Sequence, residues 1–294
     1  MISEVLYNKN VLPSYYKLGL AVGREFDGAV PGQFVMLRIS GQLDPFLRRP
    51  FGIYKRWDQK IGSPRLDGSK AGALWARSSS KGQKIEILYK VVGKGTGIMS
   101  GLKIGDRVDI LGPFGNTFPS AERNKNIIMV AGGIGIVPFY LLAKGCKKTW
   151  VGLKLLFGGK SKEDLPGLDD FKKLKIDVSV STDDGSVGEK GMVTKLLLKE
   201  LLGRDLSSAV VYACGTKPML KTVADIADRN NIPCYVSLDN VMACGIGACL
   251  GCAVKVTGSK VQGVKGYRNN SQLYKMVCKD GPIFDARDID WEAI

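Results

Sequence analysis

The chain has no histidine among its 294 residues. That absence excludes a Rieske iron–sulfur centre, which needs two histidines. It also removes the side chain most often used as a general acid or base near neutral pH. No secretory leader is visible, because Met1-Ile-Ser-Glu-Val-Leu-Tyr-Asn-Lys-Asn10 lacks a basic segment followed by an apolar one. Ile127 to Ala143, 17 residues, is the longest uncharged apolar stretch and is marginal for a bilayer. Its three glycines and Pro138 read instead as a strand, a turn and a helix start. The dinucleotide fingerprint G-x-G-x-x-G does not occur, which argues against an ordinary Rossmann dehydrogenase. These absences make a cytoplasmic protein with no membrane span the expectation.

Hydrophobic residues make up 45 % of the chain and mean hydropathy is near zero, the profile of a globular protein with proper cores. There is room for two or three modest domains. The net charge of +15 does not identify a ligand by itself. Lysines and arginines are spread along the whole chain, and no nucleic-acid-binding signature accompanies them. A basic surface with local anion pockets is expected, and no nucleic-acid partner.

Four of the seven cysteines lie toward the C-terminal end. Met242-Ala-Cys-Gly-Ile-Gly-Ala-Cys-Leu-Gly-Cys252 sets Cys244, Cys249 and Cys252 at C-x4-C-x2-C, and Cys278 follows 26 residues on. This is the ligand spacing of a plant-type [2Fe–2S] cluster. Gly245, Gly247 and Gly251 let the backbone curl closely and aim N–H groups at cluster sulfurs. A disulfide framework belongs to short secreted chains. A zinc ribbon has two C-x2-C knuckles, whereas Cys249 and Cys252 form the single one here. Cys278 is expected to be the fourth ligand, with Cys234 the alternative that spacing leaves open.

The expected fold class is β plus α/β. Short apolar runs at Val5–Tyr7, Tyr16–Val22, Phe34–Ile39, Ile85–Tyr89 and Val108–Leu111, punctuated by Pro31-Gly32 and Gly112-Pro113, read as a small antiparallel barrel. The polar segment 57–83 reads as an inserted loop. From about Asn126 the rhythm changes. Strands at Ile127–Ala131, Val151–Phe157, Ile176–Ser181, Val210–Ala213 and Cys234–Val236 alternate with helices at Leu168–Leu174, Val193–Leu202 and Pro218–Asn230. That alternation predicts a parallel sheet with crossovers. The expected domains are 1–120, 121–236 and a cysteine-bearing unit at 237–294.

Gly132-Gly-Ile-Gly135, directly after a buried strand, offers backbone N–H groups to a diphosphate at a helix start. Tyr212-Ala-Cys-Gly-Thr-Lys-Pro-Met219 is a second strand-to-helix turn in the same sheet. In the β half, Arg48 and Arg49 flank a proline-stiffened strand and suit bidentate phosphate recognition. Lys94-Gly-Thr-Gly97 adds a backbone cradle, a hydroxyl and an ammonium. Phosphate-grade sites in both halves point to two different dinucleotides.

Arg49-Pro-Phe-Gly52, Leu88-Tyr-Lys90, Gly95-Thr96, Gly112-Pro-Phe-Gly-Asn116, Gly132-Gly-Ile-Gly135, Thr182-Asp-Asp-Gly-Ser186 and Cys214-Gly215, in that order, resemble the ferredoxin–NADP reductase superfamily over nearly the whole chain. With the cysteine segment and Val277-Cys-Lys-Asp-Gly-Pro-Ile-Phe284 added, the chain closely resembles one branch. That branch is the iron–sulfur, FAD-bearing electron-transfer subunits of NAD-dependent (type B) dihydroorotate dehydrogenase, which serve pyrimidine biosynthesis. The resemblance implies FAD held by Arg49, Pro50, Phe51, Gly52, Leu88, Tyr89, Lys90, Gly95 and Thr96. It implies NAD at Gly132, Gly133, Gly135, Thr182, Asp183, Cys214 and Gly215, and a cluster on Cys244, Cys249, Cys252 and Cys278. It further implies an FMN-containing catalytic partner that oxidises dihydroorotate to orotate, assembled with this chain as a heterotetramer. No residue here is expected to act as a catalytic acid or base. Gly52 departs from the family, which usually has serine there with its hydroxyl expected to face the flavin. Segments 57–83 and 253–277 are longer than usual. Similar chains serve as small subunits of NAD(P)H–ferredoxin transhydrogenases or sulfide dehydrogenases, an alternative that keeps the chemistry and changes the partner.

Overall fold

The computed structural model describes residues 1–39, 44–57, 83–119, 126–146, 152–202, 208–257, 267–269 and 272–294, with the backbone alone at 267–269 and 272. Apart from its ends, the expected inserted loop at 57–83 lies outside the described residues, as do 258–266 and 270–271 before Cys278.

Seven strands form the first sheet: β1 (Ile2–Leu12), β2 (Tyr15–Val22), β3 (Phe34–Arg38), β4 (Arg49–Gly52), β5 (Lys55–Trp57), β6 (Gln83–Lys90) and β7 (Arg107–Phe114). Their order is β4-β3-β7-β1-β2-β6-β5, and each neighbouring pair is antiparallel. Only Ile53 and Tyr54 separate β4 from β5, so the two edges of the sheet lie beside each other. β6 is buried from Ile85 to Tyr89 because both of its faces are covered there. Ile85, Ile87 and Tyr89 pack into the core of this sheet, whereas Leu88 packs into the core of the next. Within β4, Pro50 sits at a sheet edge, where its missing N–H costs no ladder bond. The five expected strands are all present. β5, three residues reading Lys-Arg-Trp, has no apolar run to announce it.

α1 (Lys94–Ser100) follows β6, and the second sheet begins after β7. It comprises β8 (Asn126–Gly132), β9 (Leu153–Gly159), β10 (Asp177–Thr182), β11 (Glu189–Lys190), β12 (Ala209–Cys214) and β13 (Cys234–Ser237), all parallel. α2 (Phe139–Cys146), α3 (Leu168–Lys173), α4 (Val193–Leu201) and α5 (Lys217–Arg229) make the crossovers. Side chains alternate across each strand, and here both directions are apolar, as parallel sheets covered on two sides require. Ile127, Met129 and Ala131 face α2 and α3, while Ile128 and Val130 face α4 and α5. α5 starts with Pro218 in its first turn, where the lost N–H is an orphan in any case. It buries Leu220, Val223, Ala224 and Ala227, the i, i+3, i+4, i+7 stripe of an amphipathic helix.

The chain lays β9 and β10 on one side of β8, then returns to lay β12 and β13 on the other. The switch in direction falls between β8 and β12, where a crevice opens at the strands' carboxyl ends. After β13 come the cysteine loop and a small sheet of β14 (Ala253–Val256), β15 (Tyr267–Asn269) and β16 (Gln272–Met276), ordered β14-β16-β15. α6 (Val277–Asp280) then leads to β17 (Ile283–Asp285), which joins the parallel sheet antiparallel to β13. The segment 237–294 therefore sends one strand back into the second sheet. Among the described residues no helix is long and apolar enough to cross a membrane.

Candidate functional site

The cysteine loop turns on residues of left-handed backbone: Gly245 (φ 73°), Gly247 (φ 81°) and Leu250 (φ 59°). Glycine holds the first two without strain. A Cβ at Gly245 would also stand 2.5 Å from Met36 Cγ, so the loop presses directly on β3. These turns aim N–H groups at sulfur. Ile246 N and Cys249 N lie 3.5 and 3.4 Å from Cys244 Sγ, Gly247 N lies 3.1 Å from Cys278 Sγ, and Cys278 N lies 3.4 Å from Cys252 Sγ. The Cys252 and Cys278 sulfurs are 3.3 Å apart and buried, while Cys244 is half-buried and Cys249 exposed.

Burial works against ionising Cys244, but the N–H groups of Ile246 and Cys249 outweigh it and hold the thiol down at about 6. Burial and the adjoining Cys252 push Cys278 up to about 12. Two thiols so close cannot both ionise unless a cation joins them. Among the described residues no three ligating side chains gather round one point. The sulfurs stand as two pairs, Cys244 with Cys249 and Cys252 with Cys278. Cys234 lies elsewhere, buried on β13 in register with Val211 of β12.

Asn116 anchors the far side of this unit to the first sheet. Its side chain donates to the Asp280 and Ile283 carbonyls at 3.1 and 2.8 Å and accepts from Ile283 N at 2.9 Å. Gly115 (φ 85°) brings the turn against Pro282, where a Cβ would meet Pro282 Cδ at 2.6 Å. The Gly112–Asn116 and Asp280-Gly-Pro282 motifs, distant in sequence, are two halves of one joint.

At the switch point the backbones of two loops touch. A Cβ on Gly135 would lie 2.2 Å from the Cys214 carbonyl oxygen, and one on Gly132 would lie 2.7 Å from Met219 Sδ and 3.7 Å from Gly215 Cα. Gly132, Gly135, Cys214 and Gly215 are thus brought together at one crevice, while Gly133, in the same turn, faces Tyr15 OH and the Asp164 carbonyl. Thr182 ends β10 and Asp183 follows it, on the same edge but separated from β8 by β9. The Thr182 hydroxyl is spent on its own turn, donating to the Val187 carbonyl at 2.9 Å, while Asp183 is exposed. Burial pushes the Cys214 thiol up to about 12, with the Ser237 hydroxyl opposing. A thiol that stays protonated at neutral pH is a poor nucleophile.

β4 is half-buried along its length. Arg49 lies over the first turn of α1: a Cβ on Gly95 would stand 2.8 Å from Arg49 Nε. Thr96 Oγ1 accepts from Val92 N at 2.9 Å and Gly93 N at 3.2 Å, holding that turn closed. Arg48 is engaged by Asp109 of β7. The Leu88 and Tyr89 side chains are committed to packing. Tyr89 stacks on Tyr16 at 5.6 Å between ring centres and donates to Asn8 Oδ1 at 3.1 Å. Backbone groups alone remain to these two residues for a ligand. Lys90 Nζ lies 2.7 Å from Asp164 Oδ1.

Asp164 and Asp170, which sequence reasoning missed, tie the two sheets together. Asp164, in the turn after β9, accepts from Lys90 and from Tyr15 OH at 2.6 Å. Asp170, on α3, accepts from Lys17, from Lys55 at 2.8 Å and from Tyr54 OH at 2.9 Å. Burial alone would raise both carboxyls, yet Lys90 and Tyr15 hold Asp164, and Lys17 and Lys55 hold Asp170, below the usual range. No one-dimensional signal marks them, since each partner lies far away in the sequence.

Residues 239–290 match a family described as the iron-sulfur cluster binding domain of dihydroorotate dehydrogenase B, and residues 129–225 match an oxidoreductase NAD-binding domain. The chain is 36 % identical over 291 residues to the dihydroorotate dehydrogenase B (NAD(+)) electron transfer subunit of Caldanaerobacter subterraneus, covering 98 % of each chain. It is 32 % identical to the Fusobacterium nucleatum protein of the same description, over 97 % of this chain and 96 % of that one. A solved NADH-dependent reduced ferredoxin-NADP oxidoreductase, studied for flavin-based electron bifurcation, superposes with a TM-score of 0.76 at 27 % identity, over 99 % of this chain and 91 % of that one. A ferredoxin NADP+ reductase from Neisseria gonorrhoeae with bound FAD and NADP shares the fold, with a TM-score of 0.60 at 16 % identity over 78 % of this chain and 90 % of that one.

Proposed function

This chain belongs to the family of dihydroorotate dehydrogenase B (NAD(+)) electron transfer subunits, and from that premise we propose how its sites divide the work of an oxidoreductase carrying FAD, an iron–sulfur cluster and NAD(H). Cys244, Cys249, Cys252 and Cys278 hold the cluster as a [2Fe–2S] centre, two thiolates to each iron. The paired sulfurs and the N–H donors aimed at Cys244, Cys252 and Cys278 support this reading. A structural zinc ion would need all four ligands round a single point. NAD(H) lies at Gly132, Gly133, Gly135, Cys214 and Gly215, with Thr182 and Asp183 at the rim. FAD lies along β4, from Arg49 through Pro50 and Phe51 to Gly52, and against Gly95 and Thr96. Leu88 and Tyr89 serve it through their backbone, and Lys90 through a side chain already steadied by Asp164.

When bound, FAD supplies the exchange between a hydride at the nicotinamide and single electrons at the cluster. The residues of this chain position the groups, exclude water and tune charge; none acts as a general acid or base. The chain delivers to NAD+ the electrons that an FMN-containing catalytic partner takes from dihydroorotate to form orotate, and the two assemble as a heterotetramer in the cytoplasm. The Cys252–Cys278 pair, 3.3 Å apart and capped by N–H groups, is the observation that carries this reading. The test is anaerobic purification with the partner, followed by metal and acid-labile sulfide analysis and an assay of dihydroorotate-dependent NADH formation. Zinc in place of iron, or no NADH, overturns it. Similarity to the reduced ferredoxin-NADP oxidoreductase favours a second reading in which ferredoxin is the partner. Turnover with ferredoxin and none with dihydroorotate selects that one.

A further inference from the structure

β4 and the nucleotide loop meet at a residue without a side chain. A Cβ built on Gly52 would lie 2.7 Å from Val137 Cγ1 and 3.7 Å from Val137 Cβ. Val137 is 6 % exposed and follows the Gly133–Ile136 turn, its N–H donating to the Ile134 carbonyl at 3.2 Å. Valine's branched Cβ restricts its χ1, and the next residue is Pro138, whose ring fixes its own backbone torsion. Val137 therefore cannot swing aside as a long flexible side chain would. Gly52 is held from behind as well, paired in register with Phe34 of β3. The valine methyl occupies the room that a side chain at position 52 would need.

We propose that Gly52 and Val137 are a matched pair, and that Val137 is a positioning residue for hydride transfer. Its methyl group sets the spacing between the strand assigned to FAD and the loop assigned to NAD(H), so the inference rests on those two assignments. It also accounts for glycine at 52: the place of a side chain there is taken by an apolar group from the turn after β8 in the other sheet. Transfer between two bound rings is steeply sensitive to their approach, and this contact reaches from one proposed cofactor site to the other.

The test compares the wild-type complex with Gly52→Ser, Val137→Ala and the double variant. FAD retention, the long-wavelength charge-transfer absorbance on anaerobic NADH addition, the rate of flavin reduction and the thermal midpoint are read for each. Gly52→Ser is expected to hold FAD roughly tenfold or more weakly, because overpacking pushes β4 away. Val137→Ala is expected to keep FAD yet weaken the charge-transfer band and slow reduction by about tenfold or more. The double variant is expected to regain FAD affinity to within about threefold of wild type, since each change makes room for the other. If Gly52→Ser fails to fold, recovery of folding in the double variant supports the match equally well. Undiminished FAD retention in Gly52→Ser, an unaltered band in Val137→Ala, or a double variant no better than Gly52→Ser overturns the proposal. A wild-type complex without flavin refutes the functional reading instead, while non-additive thermal midpoints still decide whether the two residues are matched.

Discussion

Replacing Asp170 by alanine removes the common acceptor of three donors from the other sheet: Lys17, Lys55 at 2.8 Å and Tyr54 OH at 2.9 Å. The Asp170 side chain is 12 % exposed. Truncating one partner of a buried ion pair typically costs about 3–5 kcal/mol. Two features place this case at the low end. Lys55 keeps a second carboxylate, Glu86, at 3.3 Å, and Lys17, 17 % exposed, can turn toward water. The expected loss is about 3 kcal/mol, a fall in thermal midpoint of roughly 4–6 °C for a chain of this size. Asp169→Ala is the control. Its side chain is 86 % exposed beside Lys172, and the expected change is within about 0.5 kcal/mol. The pH dependence has a definite sign. A carboxyl depressed in the folded state stabilises above its unfolded pKa, and that stability is lost as pH falls through the folded value. Calorimetry should therefore find the full gap between wild type and Asp170→Ala at pH 7, closing in acid below about pH 4. A gap under about 0.5 kcal/mol at pH 7, or one that widens in acid, would refute the idea that this carboxylate fastens the two sheets.

Cys278→Ser should abolish the visible iron–sulfur absorbance and lower bound iron, whereas Cys234→Ser should leave both unchanged; iron analysis of the two side by side decides the fourth ligand. Gly135→Ala places a methyl 2.2 Å from the Cys214 carbonyl and must part the two loops. NADH titration should show affinity roughly tenfold or more weaker, with FAD retained. Gly95→Ala displaces Arg49, 2.8 Å from the new carbon. FAD dissociation should rise by about fivefold or more while the cluster spectrum stays intact, and loss of both together would show a general fold defect.

Three of the four cysteines proposed to hold the cluster sit in one loop, where spacing and glycines describe the local geometry directly. Five of the seven strands of the second sheet were legible for a similar reason, whereas β11 and β17, of two and three residues, were not. Runs such as Ile127–Ala131 are apolar at every position, and the glycine turns that follow them are local. Cys278 was expected as the fourth ligand with Cys234 left open, but where it sits in space was not legible. β16 and α6 bring Cys278, 26 positions away, beside Cys252, a contact that spacing does not describe. The roles of Leu88 and Tyr89 were not legible either, because the family motif does not reveal that one side chain packs into each core.

By itself the sequence determined what backbone periodicity and short turns can encode: two classes of sheet, the helix stripes between them, the glycine turns at the strand ends and a three-thiol loop. Tertiary structure alone decided which side chains meet. Asp170 finds Tyr54 116 residues away and Lys17 153 residues away, and Val137 fills the space beside Gly52. Local patterns arise from torsions and hydrogen bonds within a few residues, whereas these contacts depend on how two separately folded sheets pack, and nothing in the neighbourhood of either partner records that.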